Sequence, residues 1–259
     1  MKGLRIGVLA MADNPASVAL IRELGLLGVT VHALFLARPG TRSNLKRITR
    51  KLRAAGIYST FRRAVFAMDR RLSMNSSPPQ AEAASLVRTI HVVTGFGTPE
   101  TQRLIRGENL DLLLSYTDEI LRRATFSIPR LGTLNAHPGW NPEYRGLGAV
   151  HRMLRDGYLP AVTVHFIDEG IDTGPILFRD VIENPVFERG EVSEVCLATA
   201  QARGFAKALE ILSQGPVRSV DTFLEPSRMS RGLNFAEVAD IRANVVRNLL
   251  VLRRIDQRT

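Results

Sequence analysis

An asparagine and a histidine two positions apart, Asn135 and His137, and a later Asp-Thr-Gly turn beginning at Asp172 are the residues best suited to chemistry at a carbonyl. Residues two apart at a strand end point to the same face, so the amide and the imidazole share one surface. Acyl transfer to an amine needs a donor for the developing oxyanion, a group that manages the amine's protons, and exclusion of water. Asn135 and His137 offer the donors, and Asp172 offers the carboxylate. Taken singly, each has a plainer reading: His137 as a capping residue beside Pro138, Asp172 as a turn residue.

The surrounding pattern predicts the scaffold that would position them. Apolar β-type runs at 4–10 and 29–36 flank a helical stretch at 17–27, a βαβ opening that implies a parallel sheet under helical cover. The first run also loosely imitates a secretory leader, with Lys2 and Arg5 before it and Ala10-Met11-Ala12 after it. The strand reading is preferred because helical spacing resumes at Val18. Further strands are expected at 90–93, 111–115, 131–135, 161–167 and 174–181, and helices at 100–106, 149–155, 191–213 and 235–252. Ligands of such sheets bind beyond the carboxyl ends of the strands.

Charge is distributed unevenly. Between Arg38 and Leu72 stand eleven Lys and Arg against the single acid Asp69, and the rest of the chain is balanced, so the net charge of +10 is local. Helical spacing of Leu45, Ile48 and Leu52, then Phe61, Val65 and Met68, suggests two helices in this insertion. A solvated helical pair, a contact with an anionic membrane surface and a nucleotide-phosphate grip all fit its composition. The one cysteine, Cys196, lies in an apolar helical stretch and reads as a core thiol in a reducing, cytoplasmic setting. No apolar run approaches the ~18 residues that span a bilayer.

Two blocks carry a resemblance. Asn135-Ala136-His137-Pro138-Gly139-Trp140-Asn141-Pro142-Glu143-Tyr144-Arg145-Gly146 resembles the Asn-x-His-Pro-Ser-Leu-Leu-Pro-x-Tyr-Arg-Gly pattern of the formyltransferase superfamily. The run from Thr163 through His165 and Asp172-Thr173-Gly174-Pro175-Ile176 resembles that superfamily's second block. The superfamily includes glycinamide ribonucleotide, methionyl-tRNA and sugar N-formyltransferases and formyltetrahydrofolate hydrolases.

The resemblance implies a Rossmann-like α/β fold, mostly parallel with helices on both faces. It implies a catalytic domain at 1–215 with the 38–72 insertion, and a helical C-terminal extension at 216–259. It implies N10-formyltetrahydrofolate as formyl donor and no metal. Asn135 and His137 would hydrogen-bond the formyl oxygen, and Asp172 would orient His137 and relay the amine's proton. The donor would lie between 116–121 and 167–172, bringing in Tyr116, Glu119, Leu121, Ile167 and Gly170. Trp140, Tyr144, Arg145 and His165 are expected near the acceptor, Trp140 as a stacking surface or as loop packing.

Departures from the pattern shape the expected acceptor. Ala12-Asp13-Asn14-Pro15 stands where the purine-pathway enzyme has a glycine-rich phosphate loop, and the C-terminal residues look helical rather than like the β-barrel of the tRNA enzyme. A small-molecule amine is therefore expected, foremost a nucleotide-linked amino sugar, with an amino acid or peptidyl amine next. Hydrolysis of the donor is an alternative. A binding protein that uses the 38–72 arm on nucleic acid or lipid is a third reading, and the intact Asn135, His137 and Asp172 set argues against it. The apolar face of the last helix would serve internal packing or a homodimer.

Overall fold

The computed structural model describes residues 3–12, 14–38, 85–215, 233, 235–247 and 252–255. The basic segment expected at 38–72 lies outside these residues except for Arg38.

Seven strands form one sheet in the order β3-β2-β1-β4-β5-β6-β7. They are β1 (Ile6–Met11), β2 (Val31–Ala37), β3 (Val87–Val93), β4 (Leu112–Tyr116), β5 (Thr133–His137), β6 (Ala161–Phe166) and β7 (Ile176–Val181). The first five pair in parallel, and β6 runs antiparallel to both neighbours. Ile6–Met11 is thus an interior strand, as the βαβ reading expects.

Strand alternation distributes the core over two faces. On one, Val8, Leu114, Leu134 and Val164 meet α1 (Pro15–Leu26) and the long helix from Glu194 to Ser213. On the other, Leu9, Phe35 and Leu113 meet Ile105 of α2 (Pro99–Gly107) and Phe126 of the short α3 (Arg123–Phe126). Helices therefore cover both faces. Each fully buried Leu or Phe contributes ~1.5–3 kcal/mol to this arrangement.

The boundaries differ from the sequence reading in places that matter. β5 begins at Thr133 and runs on through His137, because Gly132 breaks the backbone ahead of it at φ 104 and antiparallel pairing with β6 extends it. After α4 (Ala149–Arg155), the residues 191 and 192 are not helical. They form β9 (Glu191–Val192), which pairs with β8 (Phe187–Glu188) around Arg189 and Gly190, both at positive φ. Helix α5 (Glu194–Ser213) starts only beyond that hairpin.

Helix α6 (Phe235–Val246) ends before Leu252, and the chain returns to bridge Tyr158 through Arg253. Ile241 and Val245 of α6 are buried with Leu154 and Val192 of the same chain, so this part of its apolar face is used in internal packing rather than left for a second copy. Cys196 packs against the same cluster, as a core thiol would. No helix among the described residues is long and apolar enough to cross a membrane.

Candidate active site

The alternation that sends Leu134, Ala136, Val162 and Val164 toward α5 sends their neighbours the other way. The antiparallel register sets Asn135 opposite His165 and His137 opposite Thr163, so four polar side chains share one patch of sheet. Loops 138–148 and 167–175 approach this patch. Thr163 fixes the first: its hydroxyl donates to Gly139 O at 2.6 Å and accepts from Asn141 N at 3.0 Å. Asn141 then ties the loops together, donating from Nδ2 to Asp172 O at 3.3 Å.

The Asp172 backbone is left-handed, at φ 53. Its Oδ2 lies 3.2 Å from His137 Nδ1 and accepts from Gly146 N at 3.1 Å. Its Oδ1 lies 3.4 Å from Asn135 Nδ2. The amide, imidazole and carboxylate singled out in the sequence meet in space.

Burial works to raise the Asp172 carboxyl, but interaction with His165 and His137 and the Gly146 N–H outweigh it and hold the group down at about 2. Burial holds the imidazolium of His137 below its ordinary range, opposed by the Asp172 charge. The second ring nitrogen, Nε2, lies 2.9 Å from Tyr144 O, which can only accept. Both nitrogens thus face protein oxygens: the Nε2 proton is held by Tyr144 O, and Nδ1, opposite Asp172 Oδ2, is the nitrogen free to take up a proton.

This geometry revises the expectation that His137 donates to a formyl oxygen, since neither ring nitrogen is turned to an outside acceptor. Asn135 is better placed. Its Nδ2 contacts, 3.4 Å to Asp172 and 3.3 Å to His165 Nε2, are long for hydrogen bonds and readily exchanged for a stronger acceptor.

Three of the four residues expected at the acceptor are turned inward. Trp140 is 1% exposed, in a cluster with Tyr144, Met153, Val181 and Ile255, so it packs the loop and offers no stacking surface. Tyr144 is buried, and its hydroxyl donates to Asp156 Oδ2 at 3.0 Å. His165 is buried; its Nδ1 donates to Phe166 O at 2.8 Å, and its Nε2 lies 3.3 Å from Asn135 Nδ2 and 3.6 Å from Asp172 Oδ1. It orients the amide. Arg145 is half-buried, and its carbonyl accepts from Arg152.

The segments expected around the donor do face each other. Leu121 and Ile167 share one apolar cluster, and Arg123 Nε is 2.7 Å from Glu169 Oε1. Leu121 and Ile167 are the apolar side chains there that a flat heteroaromatic ring could lie against. Two residues leave the set. The Glu119 carboxylate accepts from Phe96 N and Gly97 N at 3.3 and 3.2 Å, which fixes the loop after β3. Gly170 N donates to Asp168 Oδ1, and a Cβ there would lie 2.0 Å from Thr173 Oγ1, so this glycine is needed by its own turn. Tyr116, half-buried at the end of β4, packs with Leu112 and Leu114 on the α1 and α5 side of the sheet, the face opposite Leu121 and Ile167, so its side chain leaves the set as well.

The sequence reading missed Arg152. It sits on α4 among Val150, Met153 and Leu154, where nothing local marks it as more than a helix residue. It is 3% exposed.

A twisted α/β sheet that brings Asn-x-His on an inner strand under an aspartate turn defines a candidate acyl-transfer site. The chain belongs to the formyl transferase family, whose model matches residues 39–205. It is 36% identical over 121 residues to a methionyl-tRNA formyltransferase of Chloroflexus aggregans, a match that spans 45% of this chain and only 38% of that relative. Among solved structures, phosphoribosylglycinamide formyltransferase from Anaplasma phagocytophilum is similar at TM-score 0.52 and 18% identity, over 82% of this chain and 88% of that one. A sugar N-formyltransferase from a Shewanella species is similar at TM-score 0.50 and 16% identity, over 90% and 78%. These likenesses show the fold.

Proposed function

We propose that the chain is an enzyme that transfers a formyl group from N10-formyltetrahydrofolate to the primary amine of a small molecule, foremost a nucleotide-linked amino sugar. The observation that carries this reading is the meeting of Asn135 Nδ2 and His137 Nδ1 on the two oxygens of Asp172, at 3.4 and 3.2 Å.

The donor, when bound, supplies an activated formyl carbon on a nitrogen that leaves once protonated. Leu121 and Ile167 would hold it, with the 116–121 and 167–172 backbones on either side. The Asn135 amide turns toward the formyl oxygen and stabilises its growing negative charge. The acceptor nitrogen gains a bond to the formyl carbon and loses one proton, which the His137–Asp172 pair takes up and returns to the departing nitrogen. One feature supports the acceptor class: the local basicity between Arg38 and Leu72, which suits a diphosphate.

A mass-shift screen tests this. The chain is incubated with N10-formyltetrahydrofolate and a panel of nucleotide-linked amino sugars and amino acids. One carbonyl should be added to an amino sugar only when donor is present. Tetrahydrofolate release with no formylated amine would assign water as the acceptor. Failure to bind 5-formyltetrahydrofolate by calorimetry would end the reading.

A further inference from the structure

We infer that Arg152, on α4 and against the 144–147 loop, is a positioning residue that sets the hydrogen-bond partners of the His137–Asp172 pair. Its consequence for turnover rests on the transfer reading above; the positioning itself does not.

The guanidinium reaches back to the loop that precedes its own helix. Nη1 donates to Leu147 O at 2.5 Å and Nη2 to Arg145 O at 2.7 Å. Those two carbonyls flank Gly146, whose N–H donates to Asp172 Oδ2 at 3.1 Å. One residue earlier, Tyr144 O accepts from His137 Nε2 at 2.9 Å. Along 144–147 the backbone therefore alternates: two groups face the imidazole and carboxylate, and two face the guanidinium.

Gly146 and Gly148 lie at positive φ, 83 and 73. Glycine enters that region at little cost and leaves it as easily, so the loop needs an outside hold to stay in one conformation. A planar fork that binds two carbonyls at once supplies it. A lysine offers the same charge without the fork, and a methionine offers neither.

Gly139 makes the arrangement sterically feasible. A Cβ at this position would stand 2.7 Å from His137 Nε2 and 2.8 Å from Tyr144 O, inside the bond that Arg152 preserves. The serine of the superfamily pattern would not fit here without moving the loop.

The test is imidazole N–H exchange by nitrogen-edited NMR in the wild type, Arg152→Lys and Arg152→Met, with His137→Gln to assign the signal. His165, whose Nδ1–H donates to Phe166 O inside the sheet, is the internal control. Both variants should exchange the His137 Nε2 proton about tenfold faster, the cost of roughly one hydrogen bond, with the His165 signal unchanged. If the wild type turns over, kcat should fall in both while KM holds. An unchanged His137 signal in both variants would overturn the proposal. So would equal loss of both histidine signals, which would make Arg152 an ordinary stabilising residue. A wild type that formylates nothing would count against the transfer reading alone.

Discussion

Asp172 Oδ2 stands 3.2 Å from His137 Nδ1, and it reaches the ring from a left-handed backbone conformation at φ 53. Apart from glycine, asparagine is the replacement that best tolerates that conformation. Asp172→Asn should therefore keep the turn while removing the negative charge that stabilises a proton taken up on His137 Nδ1. We expect turnover to fall by about 10²–10⁴-fold, the range for losing an acid–base group, with a cooperative melt retained. Asp172→Ala should add backbone strain of roughly 1–2 kcal/mol. Steady-state kinetics beside thermal unfolding checks both, and wild-type turnover in the asparagine variant would remove Asp172 from the mechanism.

The same carboxylate predicts an acid dependence of stability. Its folded pKa of about 2 lies below the ordinary 3.8, so its contribution is present above about pH 4. It is lost as pH falls toward 2. The shift corresponds to about 2 kcal/mol. Urea unfolding of wild type and Asp172→Asn should show a stability gap near neutrality that narrows below pH 4. A gap independent of pH across that window would mean that the carboxylate is not ionised as described.

Residues that act through neighbours in sequence were legible before the fold was known. Asn135 and His137 announce themselves by a two-residue spacing, and Asp172 by a turn tripeptide. The βαβ order follows from hydrophobic period. What the sequence could not disclose was set by distant chain. Trp140 looked like a loop aromatic beside Asn141 and Pro142, and it is buried because Val181 and Ile255 arrive from far along the chain. Glu119 looked like a donor contact, and its partners are amides of the loop after β3. Arg152 carries no local signal because its carbonyl partners are chosen by loop conformation rather than by residue type.

The single tryptophan gives a direct test of the packing reading. At 1% exposure, Trp140 should emit to the blue of free tryptophan and resist iodide. Its emission should stay unchanged when an acceptor binds. Truncation to alanine should cost about 3–5 kcal/mol, as for other buried aromatics. Efficient iodide quenching in the folded state, or strong quenching by a bound nucleotide sugar, would restore the stacking role.

Gly139 should be among the least replaceable positions in the site, although the superfamily pattern places serine there. A Cβ would meet Ala149 Cβ at 2.6 Å, His137 Nε2 at 2.7 Å and Tyr144 O at 2.8 Å. One of these is backbone in a loop that Arg152 holds, so the clash cannot be relieved by turning a side chain. Gly139→Ala carries the clash in its smallest form, and overpacking of this kind costs about 1–3 kcal/mol. The loop can yield only by drawing Tyr144 O away from the imidazole, so the variant should also speed exchange of the His137 Nε2 proton. Urea midpoints and the same nitrogen-edited spectra measure the two effects together. An alanine variant as stable as wild type, with that proton still protected, would show that the loop has room the distances deny.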